Sequence, residues 1–241
     1  MKSYRADLHI HSLLSPCGSL DMSPARIIRE AKERKIDIIA VADHNSTRQA
    51  GLIKKLGQET GITVLTGAEV NTREEVHCLC LFGDEEATRI FQEFLDARLP
   101  EEENDVVIFG DQVVVDKDEQ IVYTEDRLLI SALRAGIKEI ETLVHKLNGI
   151  FIPAHIDRPY SGILDRLGFI PENLEYDALE LSYRMPETEI CGQHPELCGK
   201  YFLRSSDAHY PKDIGRATTT FELEENSFEA VRAYLRSKLN Q

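Results

Sequence analysis

The sequence predicts an α/β barrel, and three observations carry that reading. Short apolar runs alternate with amphipathic stretches along the chain, which is the pattern of βα units. The 241 residues, 42% hydrophobic, are enough for one sizeable core, and α/β barrels of this length are commonly one domain. Potential metal ligands recur where the apolar runs meet turn-like sequence, and in a barrel the carboxyl ends of all strands open onto one face.

Taken in order, a first strand is expected over about Tyr4 to Ile10. Ser23-Pro24 then opens a helix, with Ser as the N-cap and Pro at the first helical position. Ile27, Ile28 and Ala31 fall on one side of it. Ile36 to Ala42 reads as a buried strand, and a helix follows from about Thr47 to Glu59. Strands over Ile62 to Ala68 and Val76 to Phe82 precede a helix from Glu85 to Arg98. A helix from Ile137 to Asn148 leads to strands at Ile150 to Ala154, Ala178 to Ser182, Tyr201 to Arg204 and Thr218 to Leu223, and Phe228 to Leu239 forms a last helix. One stretch breaks the rhythm. After the acidic run Pro100 to Asp105, the segments Gln112 to Val115 and Ile121 to Tyr123 flank Asp116-Lys117-Asp118-Glu119, which fits a hairpin. Residues 100–127 therefore read as an insertion within one domain spanning 1–241, either a lid or a solvated excursion.

The formal charge is −14, from 28 basic and 42 acidic residues. Such a surface favours solubility and repels long polyanions, so long nucleic acid is not expected as a partner. A local metal-lined pocket for one phosphate remains compatible with it. Five cysteines, an odd number in a mid-sized chain, argue against a disulfide framework. The first residues lack the apolar stretch of a signal peptide, and Ile36 to Ala42, interrupted by Asp37, is far too short to span a bilayer. A reduced, cytoplasmic enzyme with no membrane partner is expected; the sequence specifies no protein partner.

The most informative residues are Asp7-Leu8-His9-Ile10-His11 and Ser206-Asp207-Ala208-His209. On a strand, residues two apart share a face, so each segment would present two ligands side by side. His44 follows a third apolar run, Glu69 a fourth and His155 a fifth; His77 instead begins its strand. A single histidine of this kind is more readily a hydrogen-bonded core residue. Six together with Glu69 and Asp207 point to a metal centre, and imidazole with carboxylate suits zinc, manganese or iron. His145 inside a helix and His194 in a turn do not share the pattern and are expected to be structural or exposed. Cys191 and Cys198 flank His194 at a spacing unlike a zinc knuckle, so they read as loop thiols. Cys78 and Cys80 should point towards the packing helices. The chain has no Gly-x-x-x-x-Gly-Lys loop, no His-Glu-x-x-His helix and no Gly-x-Ser-x-Gly elbow.

At these positions the chain resembles the PHP family, named after polymerase and histidinol phosphatase domains. The resemblance rests on Asp7-Leu8-His9-Ile10-His11-Ser12, Ala42-Asp43-His44-Asn45, Gly67-Ala68-Glu69-Val70, Val76-His77, Pro153-Ala154-His155 and Ser206-Asp207-Ala208-His209, in that order. It implies a distorted (β/α)7 TIM-like barrel, here with a small hairpin-containing insertion, two or three divalent metal ions and phosphoester hydrolysis. Carried over by residue, the resemblance implies a first metal on His9, His11, Glu69 and Asp207. A second would share Glu69 and add His77 and His155. A third would use His44, His209 and Cys17, where many relatives carry aspartate or histidine; a thiolate there would favour zinc.

Two metals sharing Glu69 could hold a bridging hydroxide, since metal binding lowers the pKa of water from 15.7 towards about 7. The cations would also draw charge from the phosphoryl oxygens. Asp7 and Asp43 adjoin ligands and either orient imidazoles or cap strand-end turns. Arg158, three residues beyond His155, is the preferred phosphate contact; Arg184 and Lys212 are weaker choices. The leading expectation is a metal-dependent phosphoesterase that attacks a small phosphorylated substrate (a phosphomonoester, a nucleotide or a short oligonucleotide end) with a metal-bound hydroxide. A nuclease acting on DNA or RNA and a non-catalytic regulatory metal module are the alternatives.

Overall fold

The computed structural model describes residues 1–239. Strands β1 (Lys2–Ile10), β2 (Ile38–His44) and β3 (Thr63–Asn71) run parallel, joined by helices α1 (Pro24–Glu33) and α2 (Ala50–Thr60). Strand β4 (His77–Phe82) turns back antiparallel to β3 and leads into α3 (Glu85–Arg98). A short helix α4 (Val106–Phe109) and the hairpin β5 (Val113–Val115) and β6 (Ile121–Thr124) follow. Helix α5 (Ile137–Lys146) precedes β7 (Ile150–Pro153), which is antiparallel to β4. Then come α6 (Ile163–Leu167), β8 (Leu179–Leu181), α7 (Glu187–Gln193), β9 (Phe202–Arg204), β10 (Thr219–Leu223) and α8 (Phe228–Leu239).

The main sheet has the order β10-β1-β2-β3-β4-β7, and β8 and β9 form a separate parallel pair. The result is an α/β fold with a curled half-barrel sheet rather than a uniformly parallel ring, because β4, β7 and β10 are paired antiparallel. The β8–β9 pair spans the open side. Beyond β7, the Ile156 amide donates to the Glu180 carbonyl at 2.9 Å; beyond β9, the His11 amide donates to the Ala208 carbonyl at 3.0 Å.

The segments fold locally for the reasons the sequence suggested. Ser23 caps α1 by accepting from the Arg26 amide, and Ile27, Ile28 and Ala31 are buried beneath it against Ile39 and Val41 of β2. Asp84 caps α3, whose Phe91 ring lies 4.9 Å from Phe82 of β4. Cys78 and Cys80 sit in that same cluster with Phe91 and Leu95. Alternate residues of β1 and β2, such as Leu8, Ile38 and Ala40, face the interior of the curl instead. Helices α4, α6 and α7 carry four to seven residues each, too short for a helical period to show in the sequence.

Within residues 100–127, β5 is buried and β6 is exposed. The Gln49 side chain, just before α2, pins β5: its amide donates to the Val115 carbonyl at 3.1 Å and its carbonyl accepts from the Val115 amide at 2.8 Å. Among the described residues, no helix is long and apolar enough to cross a membrane.

Candidate metal centre

Antiparallel pairing explains why His77 joins ligands that end other strands. Asn71, at the end of β3, lies opposite His77, at the start of β4, so both reach the same rim of the sheet. Glu69 is two residues back from Asn71, level with His44 of the neighbouring β2. His9 is the penultimate residue of β1, and His11 lies just past its end. Asp207 and His209 are not a strand pair as expected. They lie in a loop beyond β9, with Asp207 in the left-handed region at φ 49°. His155, beyond β7, has φ 25°. Left-handed backbone at two non-glycine residues, both aimed into the same site, is the kind of local strain that functional geometry sustains.

The side chains converge. The Nε2 atoms of His9 and His11 are 3.2 Å apart. From Glu69 Oε2 they stand at 3.4 and 3.3 Å, and from Asp207 Oδ1 at 3.5 and 3.4 Å. Glu69 Oε2 also lies 3.1 Å from His44 Nδ1. Its other oxygen faces His77 Nδ1 at 2.9 Å and His155 Nε2 at 2.8 Å. Three groups of potential ligands result: His9, His11, Glu69 and Asp207; His44, Glu69 and His77; and His11, His44 and His209. His155 meets the second group through Glu69.

The hydrogen bonds around these residues fix which ring nitrogens are free. His9 Nδ1 faces Glu180 Oε2 at 3.0 Å, and that oxygen accepts from the His155 amide at 3.0 Å. His11 Nδ1 faces the Ser15 hydroxyl at 2.8 Å. Ser15 donates in turn to Asp43 Oδ1 at 2.8 Å and accepts from the His44 amide at 3.2 Å. With the Nδ1 proton donated outwards, each neutral imidazole turns an Nε2 lone pair inwards. Burial works against a charged ring, but Glu180, Glu69 and Asp207 raise the pKa of His9, and Asp207 and Glu69 that of His11, so a cation bound here takes the place of ring protons. Once both rings are neutral, two lone pairs and two carboxylates meeting at one buried point repel one another unless a cation lies among them. Asp207 Oδ1, His44 Nδ1 and His155 Nδ1 are buried without a hydrogen bond. The donor set fits divalent metal ions.

Burial and charge shift these groups strongly. Burial would raise Glu69, but His77, His9 and His44 hold its carboxyl well below the usual range. Burial likewise opposes ionisation of Asp207, and His9 and His11 outweigh it. Burial pushes His44 down, and it pushes His209 down to about 3 with help from His11. These imidazoles are held neutral, the form that binds a metal.

Asp43 and Asp7 organise loops. Asp43 accepts from the Ser12 amide at 2.7 Å and the Ser12 hydroxyl at 2.6 Å, and it reaches His11 only through Ser15. Asp7 accepts from the amides of Ser206 at 2.9 Å and Gly215 at 2.8 Å, anchoring the loop that carries Asp207. Arg158, the preferred phosphate contact in the sequence, bonds to Asp207 Oδ2. Arg184 lies against Tyr183, and Lys212 against Tyr210. Cys17 is on an exposed turn and belongs to none of the three groups; burial of its thiol, with Glu69 and Asp207 nearby, pushes its pKa up to about 12. His145 is tied to Glu141 and Asp177, and His194 to Glu196. Sequence reasoning missed Glu180, Ser15 and Arg216. The one usable signal was an acid in the apolar run Ala178 to Ser182, where a buried carboxylate needs a partner.

Comparison with known proteins agrees with this geometry. The description of the PHP domain matches residues 7–185, and that of a PHP-associated segment matches residues 198–238. YqxK of Bacillus subtilis is 25% identical over 247 aligned positions, covering 90% of this chain and 57% of that protein. Among solved structures, the lesion-specific endonuclease PfuEndoQ of Pyrococcus furiosus aligns with a TM-score of 0.71 at 19% identity, covering 98% of this chain and 56% of the other. An Endonuclease Q complex with a 27-mer duplex bearing an abasic lesion at the active site gives 0.73 at 19% identity, over 98% and 57%. A proposed metal-dependent phosphoesterase from Bifidobacterium adolescentis gives 0.56 at 18% identity, over 95% of each chain. The chain spans about half the length of the curated relatives it matches. With its ligand-bearing segments in family order and the family description covering most of its length, this chain belongs to the PHP domain family.

Proposed function

We propose that the chain is a metal-dependent phosphoric ester hydrolase whose substrate is a phosphomonoester, a nucleotide or an oligonucleotide. The observation that carries this is the meeting of His9, His11, Glu69 and Asp207 at 3.2–3.5 Å, with Nε2 of both rings and one oxygen of each carboxylate aimed at one point. Divalent cations bound there supply an activated water at neutral pH and withdraw charge from the phosphoryl group. The protein's own part is to hold the ligands. Glu180 and the Asp43–Ser15 relay orient His9 and His11, and Glu69 ties the imidazoles of β2, β4 and the loop after β7 to one point. We assign Arg158 to the substrate phosphate, because among the described residues one of its side-chain donors is engaged, by Asp207, and its side chain is 35% exposed. His11, His44 and His209 mark the third position. Cys17 stands outside that group and is assigned as the remaining ligand, a role in which a bound cation would displace its thiol proton, with zinc, manganese or iron as the metals. Counted around the curl as β1, β2, β3, β4, β7, β8 and β9, the strands support a distorted (β/α)7 reading, with residues 100–127 as an insertion and candidate lid. Five free cysteines suit a reduced compartment, the cytoplasm.

A nuclease reading is favoured by what borders Asp207. Arg216 donates to the carbonyls of Ser206 and Asp207 at 2.7 and 3.2 Å, and its guanidinium covers Tyr183 at 4.1 Å. With Arg158, Arg184, Lys212 and the exposed rings of Tyr160 and Tyr210, these loops gather cations and aromatic faces that the overall charge of −14 hides. Cations contact phosphates and rings stack on bases. The likeness to Endonuclease Q supports the same reading.

The deciding experiment loads the protein separately with zinc, manganese and iron. It is then assayed on phosphomonoesters, nucleotides and labelled oligonucleotides, single-stranded and duplex, with and without an abasic site. Activity abolished by chelation and by His155→Ala supports the hydrolase; the preferred substrate chooses between the two readings. Metal-loaded protein inert on the whole panel would leave a regulatory metal module.

A further inference from the structure

A cavity of about 540 Å³ lies between α2, α3 and the β5–β6 hairpin, and it shares no residue with the three ligand groups. Its size falls within the range of about 300–1,000 Å³ typical of small-molecule sites. Its two ends differ in chemistry. At one end the Tyr123 ring and Val114, both from the hairpin, form an apolar wall, and the Arg48 guanidinium lies 4.8 Å from the ring centre. That end is fixed by Arg48 pairing with Asp96 in the last turns of α3, at 2.7 Å. At the other end Lys54 and Lys55 line the space, and the Lys54 amine donates to the Gly83 carbonyl, just before α3, at 2.5 Å. Between them the hydroxyls of Thr66 and Thr88 stand 2.7 Å apart.

The charge at this cavity runs against that of the protein. Arg48 is matched by Asp96, and Arg89 by Glu86 and Glu93. Among the described residues, Lys54 and Lys55 have no carboxylate within ion-pair distance, and the acid lining the space is Glu85. Two ammonium groups without a carboxylate partner, lining one end of an open cleft, draw an anion. The Thr66 and Thr88 hydroxyls are engaged with each other and with the carbonyls of Phe82 and Asp84, so the lysines carry the polar recognition, and the aromatic wall accepts a flat apolar body.

We propose that this cavity binds a small organic anion with a planar body, of which a nucleoside monophosphate is the class that satisfies both ends, and that the bound molecule holds the hairpin against α2 and α3. Lys54 and Lys55 take the phosphate; Tyr123 and Val114 take the base. The site stands apart from the metal centre and does not depend on which phosphoester is hydrolysed.

The test uses the whole chain treated with EDTA, so that phosphate has no metal to bind, titrated calorimetrically with AMP and separately with inorganic phosphate. The expected result is saturable binding of AMP at one site, with phosphate alone weaker by about tenfold or more. Lys55→Glu, at an exposed position, weakens AMP binding by at least the same factor, and Tyr123→Ala does likewise. Amide exchange over Val113–Val115 and Ile121–Thr124 slows when AMP is bound. Absence of saturable binding, binding untouched by Lys55→Glu and Tyr123→Ala, or phosphate binding as tightly as AMP would each overturn the proposal.

Discussion

At the scale of single residues, the metal-facing atoms depend on groups that never touch the centre. Glu180 on β8 fixes the His9 tautomer, so Glu180→Gln keeps the shape while weakening the acceptor. Metal affinity should fall about 10–100-fold, measured by competitive chelator titration, with the fold intact by circular dichroism. A second prediction concerns His145, which lies between Asp177 and Glu141. Its hydrogen bond to Asp177 raises its pKa above the ordinary 6.5 despite partial burial. Burial works against ionised Asp177, but His145, the Phe151 amide and Arg236 hold its carboxyl below the ordinary 3.8. A raised histidine stabilises fully below its unfolded pKa and loses that contribution as pH rises through its folded pKa; a depressed acid loses its own as pH falls through its folded value. The pair therefore contributes most between about pH 4 and 6.5. The melting-temperature difference between the natural protein and His145→Ala should shrink as pH is raised from 6 towards 9. A difference independent of pH would show that the pair is not ionic.

At the scale of elements, the register between β3 and β4 decides whether Glu69 and His77 meet. Gly67 sits opposite Leu81, and a Cβ there would lie 2.1 Å from the Cys80 carbonyl oxygen. That contact is with backbone, so it is relieved only by separating the strands. Gly67→Ala should cost at least the 1–3 kcal/mol of ordinary overpacking and lower metal stoichiometry together with melting temperature. The hairpin is held differently. Gln49→Ala removes both bonds to Val115 and strands a buried amide, at a cost of about 1–3 kcal/mol. Hydrogen exchange should then quicken over β5 and β6 while the main sheet remains protected.

At the scale of the whole molecule, the curled sheet gathers buried carboxylates and imidazoles at one rim, so stability should be linked to a bound cation. A cation present at one hundred times its dissociation constant adds about 2.7 kcal/mol. Chelation should lower the melting temperature by several degrees, and zinc or manganese should restore it; calorimetry with and without EDTA measures the change. An unchanged transition would mean that the ligands hold one another without a cation.

The sequence by itself determined the order of the strands and the longer helices, the segments that carry the candidate ligands and the family, because hydrophobic period, caps and short motifs are local. Helix α3 begins and ends where Glu85 and Arg98 suggested, and the sequence singled out His9, Glu69 and Asp207, which the fold brings together. Only the tertiary structure decided which partners those residues meet. Pairing direction brings His77 round to Glu69, a strained loop rather than a strand presents Asp207, and β8 delivers Glu180 to His9. Arg158 reads in sequence as a phosphate contact, and only the structure sets it against Asp207. Such contacts join residues far apart along the chain, and no local pattern encodes them; they follow from how a mixed sheet curls and which side chains its interior must satisfy.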